Sequence, residues 1–169
     1  MDLNMVLKEK KEKNILLKKK LLLTSKNKAI GLIKINSKTL IKELRDALVV
    51  LPCDFVIEVE GANNEKLAEN VVAISKVDNS LLIGFDFLVC DDDIDNLNSY
   101  FELGITPIVS NKNHLSSLLK EFIPAKNEGN SYIYSSLDKW SIFYALVRYL
   151  ENYKFPFDNK NLVKNVVNI

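Results

Sequence analysis

The chain has 169 residues, 47% apolar and 27% charged, which suits one globular core and leaves little room for two. No apolar run approaches the ~20 residues that span a bilayer, and the start shows no small-residue cleavage site of a secretory leader. The net charge of +1 hides an uneven distribution: residues 1–28 carry nine Lys against three acids, and the other 14 basic and 19 acidic residues leave the body at −5. Cys53 and Cys90 stand apart beside predicted strands, without the paired spacing of metal ligands, so buried thiols in a reducing cytoplasm are expected.

Leucines and isoleucines interrupt the lysines of 1–28, so this segment reads as a basic amphipathic arm lying on a domain at 29–169. The arm is predicted as one helix over 3–23 with a break near Asn14, its Lys stems covering apolar surface. Ala29 to Ile35 is an apolar strand. Ser37 caps a helix reaching about Val50, with Leu40, Ile41, Leu44, Ala47 and Leu48 on one face, and Pro52 closes it. Asp54 to Glu60 alternates as a second strand. A short helix is predicted from Asn63 or Asn64 through Val71, then a small strand over 72–74 and a helical turn over 78–83.

The central unit follows. Phe85 to Cys90 is a buried strand, Asp91, Asp92 and Asp93 form an acidic turn, a helix ends at Gly104, and Thr106 to Val109 is another buried strand. A helix is predicted over Leu115 to Phe122, stopped by Pro124, then a strand over 131–134. Leu137 to Tyr153 is the most strongly patterned helix, and its aromatic face (Trp140, Phe143, Tyr144) is expected to pack as core. A last helix starts near Asn159. The alternation predicts a single Rossmann-like, doubly wound parallel sheet of about six strands with right-handed crossovers. Ligands of such sheets gather beyond the strand carboxyl ends.

Several phrases, taken together, resemble the carboxy-terminal half of bacterial glycogen and starch synthases, glycosyltransferases of the two-Rossmann-domain GT-B type. Lys13-Asn14-Ile15-Leu16-Leu17 is similar to the family's linker helix. Gly31-Leu32-Ile33-Lys34 followed by Lys38 stands where the family has Gly to Arg and a Gln-Lys-Gly turn, and Glu60-Gly61-Ala62 where it has Gly-x-Gly. Gly84-Phe85-Asp86 matches a Gly-Ala-Asp strand, and Leu103-Gly104-Ile105-Thr106-Pro107-Ile108-Val109 matches Tyr-Gly-x-x-Pro-Val-Val. Asn113-His114-Leu115 stands in place of Gly-Gly-Leu.

The resemblance implies a donor site in which an Arg and a Lys hold a nucleotide diphosphate and glycine turns bring amides to it. Carried onto this chain, it implies a residual anion or nucleotide-sugar site at Lys34, Lys38, Gly61, Lys112, Asn113 and His114. The departures are acidic: the family's Pro-Ser-x-x-Glu-Pro-x-Gly loop is shortened and replaced by Asp91, Asp92 and Asp93. Two like charges ~4 Å apart repel by about 4 kcal/mol at an effective dielectric near 20, so the triplet opposes a diphosphate. The same carboxylates are candidates for a hard cation such as Mg²⁺, or simply for helix capping. His114, the lone histidine, has no Ser, Cys or carboxylate partner at a telling spacing, so no catalytic residue is assigned. No cofactor is called for, and basic–aromatic interleaving for nucleic acid is not present.

The expected function is therefore a glycogen/starch synthase-like single domain that, lacking an acceptor half, is inactive alone and works as a binding, regulatory or interaction module. The alternative is the donor-binding subunit of a hexosyltransferase using a nucleotide sugar, completed by a separate acceptor domain. A protein partner or a second copy over the former interdomain face is the expected association.

Overall fold

A computed structural model describes residues 2–91 and 96–169. Seven strands run in chain order: β1 (Ile30–Lys34), β2 (Asp54–Glu58), β3 (Glu65–Ala68), β4 (Val71–Ile74), β5 (Phe87–Cys90), β6 (Thr106–Ser110) and β7 (Tyr132–Tyr134). They form one sheet in the order β3-β4-β2-β1-β5-β6-β7, all parallel except β3. The chain winds outward from β1 in both directions, so the topological switch lies between β1 and β5. The helices are α1 (Leu3–Lys20), α2 (Lys38–Val49), α3 (Leu97–Glu102), α4 (Lys139–Tyr153) and α5 (Pro156–Val167).

The central strands are buried on both faces, which is why they read as unbroken Ile, Val, Leu and Phe rather than as an alternation. Helix α2 starts as its cap demands, the Ser37 hydroxyl accepting from the Leu40 amide at 3.2 Å. Its other end is tied by Asn70, whose buried Nδ2 donates to the carbonyls of Leu48, Leu51 and Cys53. One amide thereby clamps three carbonyls between α2 and β2.

Helix α1 runs without a break. It packs on the 3-10 turn Asn79–Gly84 and buries Val6, Lys10 and Leu17, while Ile15 and Leu16 face outward. Its backbone comes so close that a Cβ on Gly84 would lie 2.8 Å from the Lys13 carbonyl carbon. Asn14, the expected breakpoint, donates to the Gly84 carbonyl at 3.2 Å. Lys10 is buried and its ammonium donates to the carbonyls of Ile83 (3.2 Å) and Phe85. Burial pulls this lysine down to about 8, against the opposing charge of Asp86.

Three expectations fail for identifiable reasons. The helix expected through Val71 is instead β3, hairpinned onto β4, because β4 supplies a free edge whose pairing outweighs the helical bias of Glu-Lys-Leu-Ala. No helix forms over 115–122. There the Lys120 amide donates to Asn130 Oδ1, the Lys120 carbonyl accepts from Asn130 and Ser131, and Ile123 pairs with Glu128, so the backbone is already committed across the chain. The buried side of α4 is Ile142, Ala145, Leu146, Tyr149 and Leu150, whereas Trp140 and Tyr144 are 66% and 64% exposed. Of the expected aromatic face, Trp140 and Tyr144 are surface, and only the half-buried Phe143 packs against the core.

Candidate functional site

The carboxyl ends of β1, β2, β5 and β6 bring together Lys34, Glu58, Asp91 and the 110–115 loop. Lys34 is the last residue of β1, and Glu58 the last of neighbouring β2. Lys34 Nζ lies 2.8 Å from Glu58 Oε1 and 3.3 Å from the Tyr100 hydroxyl. Partial burial pulls the ammonium down, and Glu58 and Tyr100, through hydrogen bonds and charge, more than reverse it, leaving Lys34 above the ordinary lysine value. The other oxygen of Glu58 accepts the Val77 amide at 3.0 Å. Both carboxylate oxygens are therefore fixed, and the cation expected to meet a diphosphate is already paired within the chain.

The backbone shows the same arrangement. Asp91 is buried at the end of β5, and its Oδ2 accepts the Asn36 amide at 2.8 Å, in the turn that leads from β1 to the capped start of α2. A strand-to-helix turn of this kind offers its amides to anions. Here a protein carboxylate takes the amide. Asp92 and Asp93 lie outside the described residues. Among the described residues no group of three or more His, Cys, Asp or Glu is placed to hold a metal.

The remaining predicted positions are placed as follows. Lys38 is exposed in the first turn of α2, and Lys112 and His114 are exposed past β6. Asn113 is 1% exposed: its Oδ1 accepts the Leu115 amide at 2.9 Å, while its buried Nδ2 has no partner among the described residues. Because turns replace the expected helix, no helix dipole points at Asn113. Gly61 has φ +82 with no atom within 4 Å of an added Cβ, so its glycine serves the turn itself. None of the six positions is joined to another by a hydrogen bond or ion pair among the described residues. Glu58 and Asp91 define the site's electrostatics. The acidic triplet flagged Asp91, but nothing in the local pattern singles out Glu58, whose role depends on β1 and β2 being neighbours.

Changing Glu58 to Gln is expected to lower stability by about 1 kcal/mol in urea unfolding, as the pair is only partly buried. With the Glu58 hydrogen bond and charge gone, Lys34 should titrate lower than in wild type, readable by ¹⁵N NMR of Nζ. An unmoved Lys34 would show that Glu58 does not hold it.

No family model matches the chain, and no curated protein matches it. Solved structures do. The catalytic domain of starch synthase IV from Arabidopsis thaliana, bound to ADP and acarbose, superposes with a TM-score of 0.75 at 19% identity over 95% of this chain and 39% of that one. A sucrose-phosphate synthase from Thermosynechococcus elongatus gives a TM-score of 0.60 at 15% identity, covering 89% and 42% of the two chains. A spinosyn forosaminyltransferase gives 0.58 at 12% identity, covering 84% and 40%. The chain spans about 40% of the length of these enzymes, and its fold is that of one half of a GT-B glycosyltransferase.

Proposed function

We propose that this domain is a glycosyltransferase-like module that does not transfer sugar by itself and acts through binding to a protein partner or a second copy. One observation carries the reading: the cation and the backbone amide best placed for a diphosphate are held by the chain's own Glu58 and Asp91. To bind there, a nucleotide sugar must break a partly buried ion pair and meet a carboxylate already seated on the amide. The exposed face of α4 supports an interaction role. Leu137, Trp140 and Tyr144 are solvent-facing, with Lys139 stacked on Trp140 and Arg148 on Tyr144 at 4.5 Å each. Cys53 and Cys90 are buried thiols, which fits a cytoplasmic setting. Among the described residues no helix is long and apolar enough to cross a membrane.

The second reading is a donor-binding subunit completed by a separate acceptor domain. The Asn113 Nδ2 beside β6, unpartnered among the described residues, favours it, since a buried donor calls for an acceptor. Thermal unfolding with ADP-glucose and UDP-glucose, with and without Mg²⁺, separates the two. A ligand at 100 times its dissociation constant stabilises by about 2.7 kcal/mol. The module reading expects no shift at millimolar donor. A saturable rise in Tm would establish the donor-binding subunit instead.

A further inference from the structure

The opposite end of the sheet carries a second candidate site. Between α1, the loop before β1, and the α4–α5 corner lies a cavity of about 700 Å³, within the usual range for small-molecule sites. Lys26, Lys28, Lys154 and Lys160 stand around it, and no carboxylate lines it. Lys26, Lys28 and Lys160 take part in no ion pair among the described residues, while Lys154 is tied to Glu151 at the surface. Its walls include the apolar Pro52, Leu150 and Pro156. An adjoining lobe of about 620 Å³ shares Leu7, Lys28, Tyr153 and Asn159 with it and reaches the buried Lys10 and Asp86.

We propose that this cavity binds a small organic phosphomonoester, a nucleoside monophosphate being the type. Unpaired ammonium groups converging on one concavity repel one another, and the low-dielectric walls focus their field. A phosphate carrying nearly two negative charges at neutral pH relieves that repulsion best. The cations are all lysines, compact point charges suited to a phosphate. The proline and leucine walls take a ring. The basic arm thus gains a specific task, since Lys26 and Lys28 follow α1 directly.

The test is calorimetric titration of the full chain with AMP, ribose 5-phosphate, adenosine and inorganic phosphate, and with an RNA oligonucleotide lacking a terminal phosphate. AMP and ribose 5-phosphate should bind saturably and adenosine should not. The double variant Lys28→Gln/Lys160→Gln should weaken AMP by about tenfold or more, a change of about 1.4 kcal/mol. Its unliganded Tm should not fall, and Lys26→Gln/Lys154→Gln serves as a second pair should the first misfold. Asn113→Ala, at the other end of the sheet, should leave AMP binding intact, which keeps this result separate from any donor-site binding. No saturable heat with either phosphomonoester, wild-type affinity in folded lysine variants, loss of binding in Asn113→Ala, or preferential binding of the RNA would overturn the proposal.

Discussion

Replacing Gly31 by alanine should destabilise the domain by about 3 kcal/mol or more, the upper end for overpacking a filled core. For a chain of this size that lowers Tm by on the order of 10 °C. Gly31 pairs directly with Phe87 across the two central strands, and a Cβ there would lie 2.1 Å from the Phe87 ring. The ring cannot swing away. It sits against Phe55, with centroids 6.1 Å apart, and against Tyr149 at 4.6 Å. Phe87→Leu in the same chain should restore part of the loss, because it removes the atoms that collide. If Gly31→Ala unfolds within 1 kcal/mol of wild type, an error about the central β1–β5 contact would be exposed.

Lys10→Met should cost about 3 kcal/mol at neutral pH, because it leaves Asp86 as a buried carboxyl without its cation. Asp86 is raised by burial and lowered by Lys10, and it also accepts the Ile30 amide at 2.9 Å, so the pair joins α1 to the start of β1. The pH dependence has a definite sign. The unfolded chain keeps the Lys10 proton to about pH 10, whereas the folded chain releases it near 8. Between those values the unfolded state holds more protons, so this group's contribution to stability rises with pH. Urea unfolding of wild type and Lys10→Met from pH 7.5 to 10 should show the wild-type advantage growing by about 2 kcal/mol. A constant or shrinking difference would mean that Lys10 is not held in a desolvated position.

The parts of the fold legible in sequence are those where local signals and tertiary packing agree. Ser37 before an amphipathic run gives α2, and the short apolar runs around 30, 55, 87 and 107 give the central parallel strands. What was not legible depends on contacts made across the chain. Glu65–Ala68 becomes a strand only because β4 is there to pair with it, and 115–122 stays irregular only because Asn130 and Ser131 capture its backbone. Periodicity locates a helical face but not its partner, so Trp140 and Tyr144 read as core until Ile142, Leu146 and Tyr149 are seen to fill that place. The candidate site divides along the same line. The lysine at the end of β1 and the acid at the end of β5 are visible as residue types, but their pairing with Glu58 and with the Asn36 amide comes from strand order.

That pairing is most directly tested by NMR titration with ADP-glucose, following the Asn36 amide and the Lys34 Nζ. Both signals should stay in place through millimolar donor, because Asp91 and Glu58 already occupy them. A saturable shift of both, with a midpoint below about 1 mM, would show that the diphosphate displaces the two carboxylates and that the site is open.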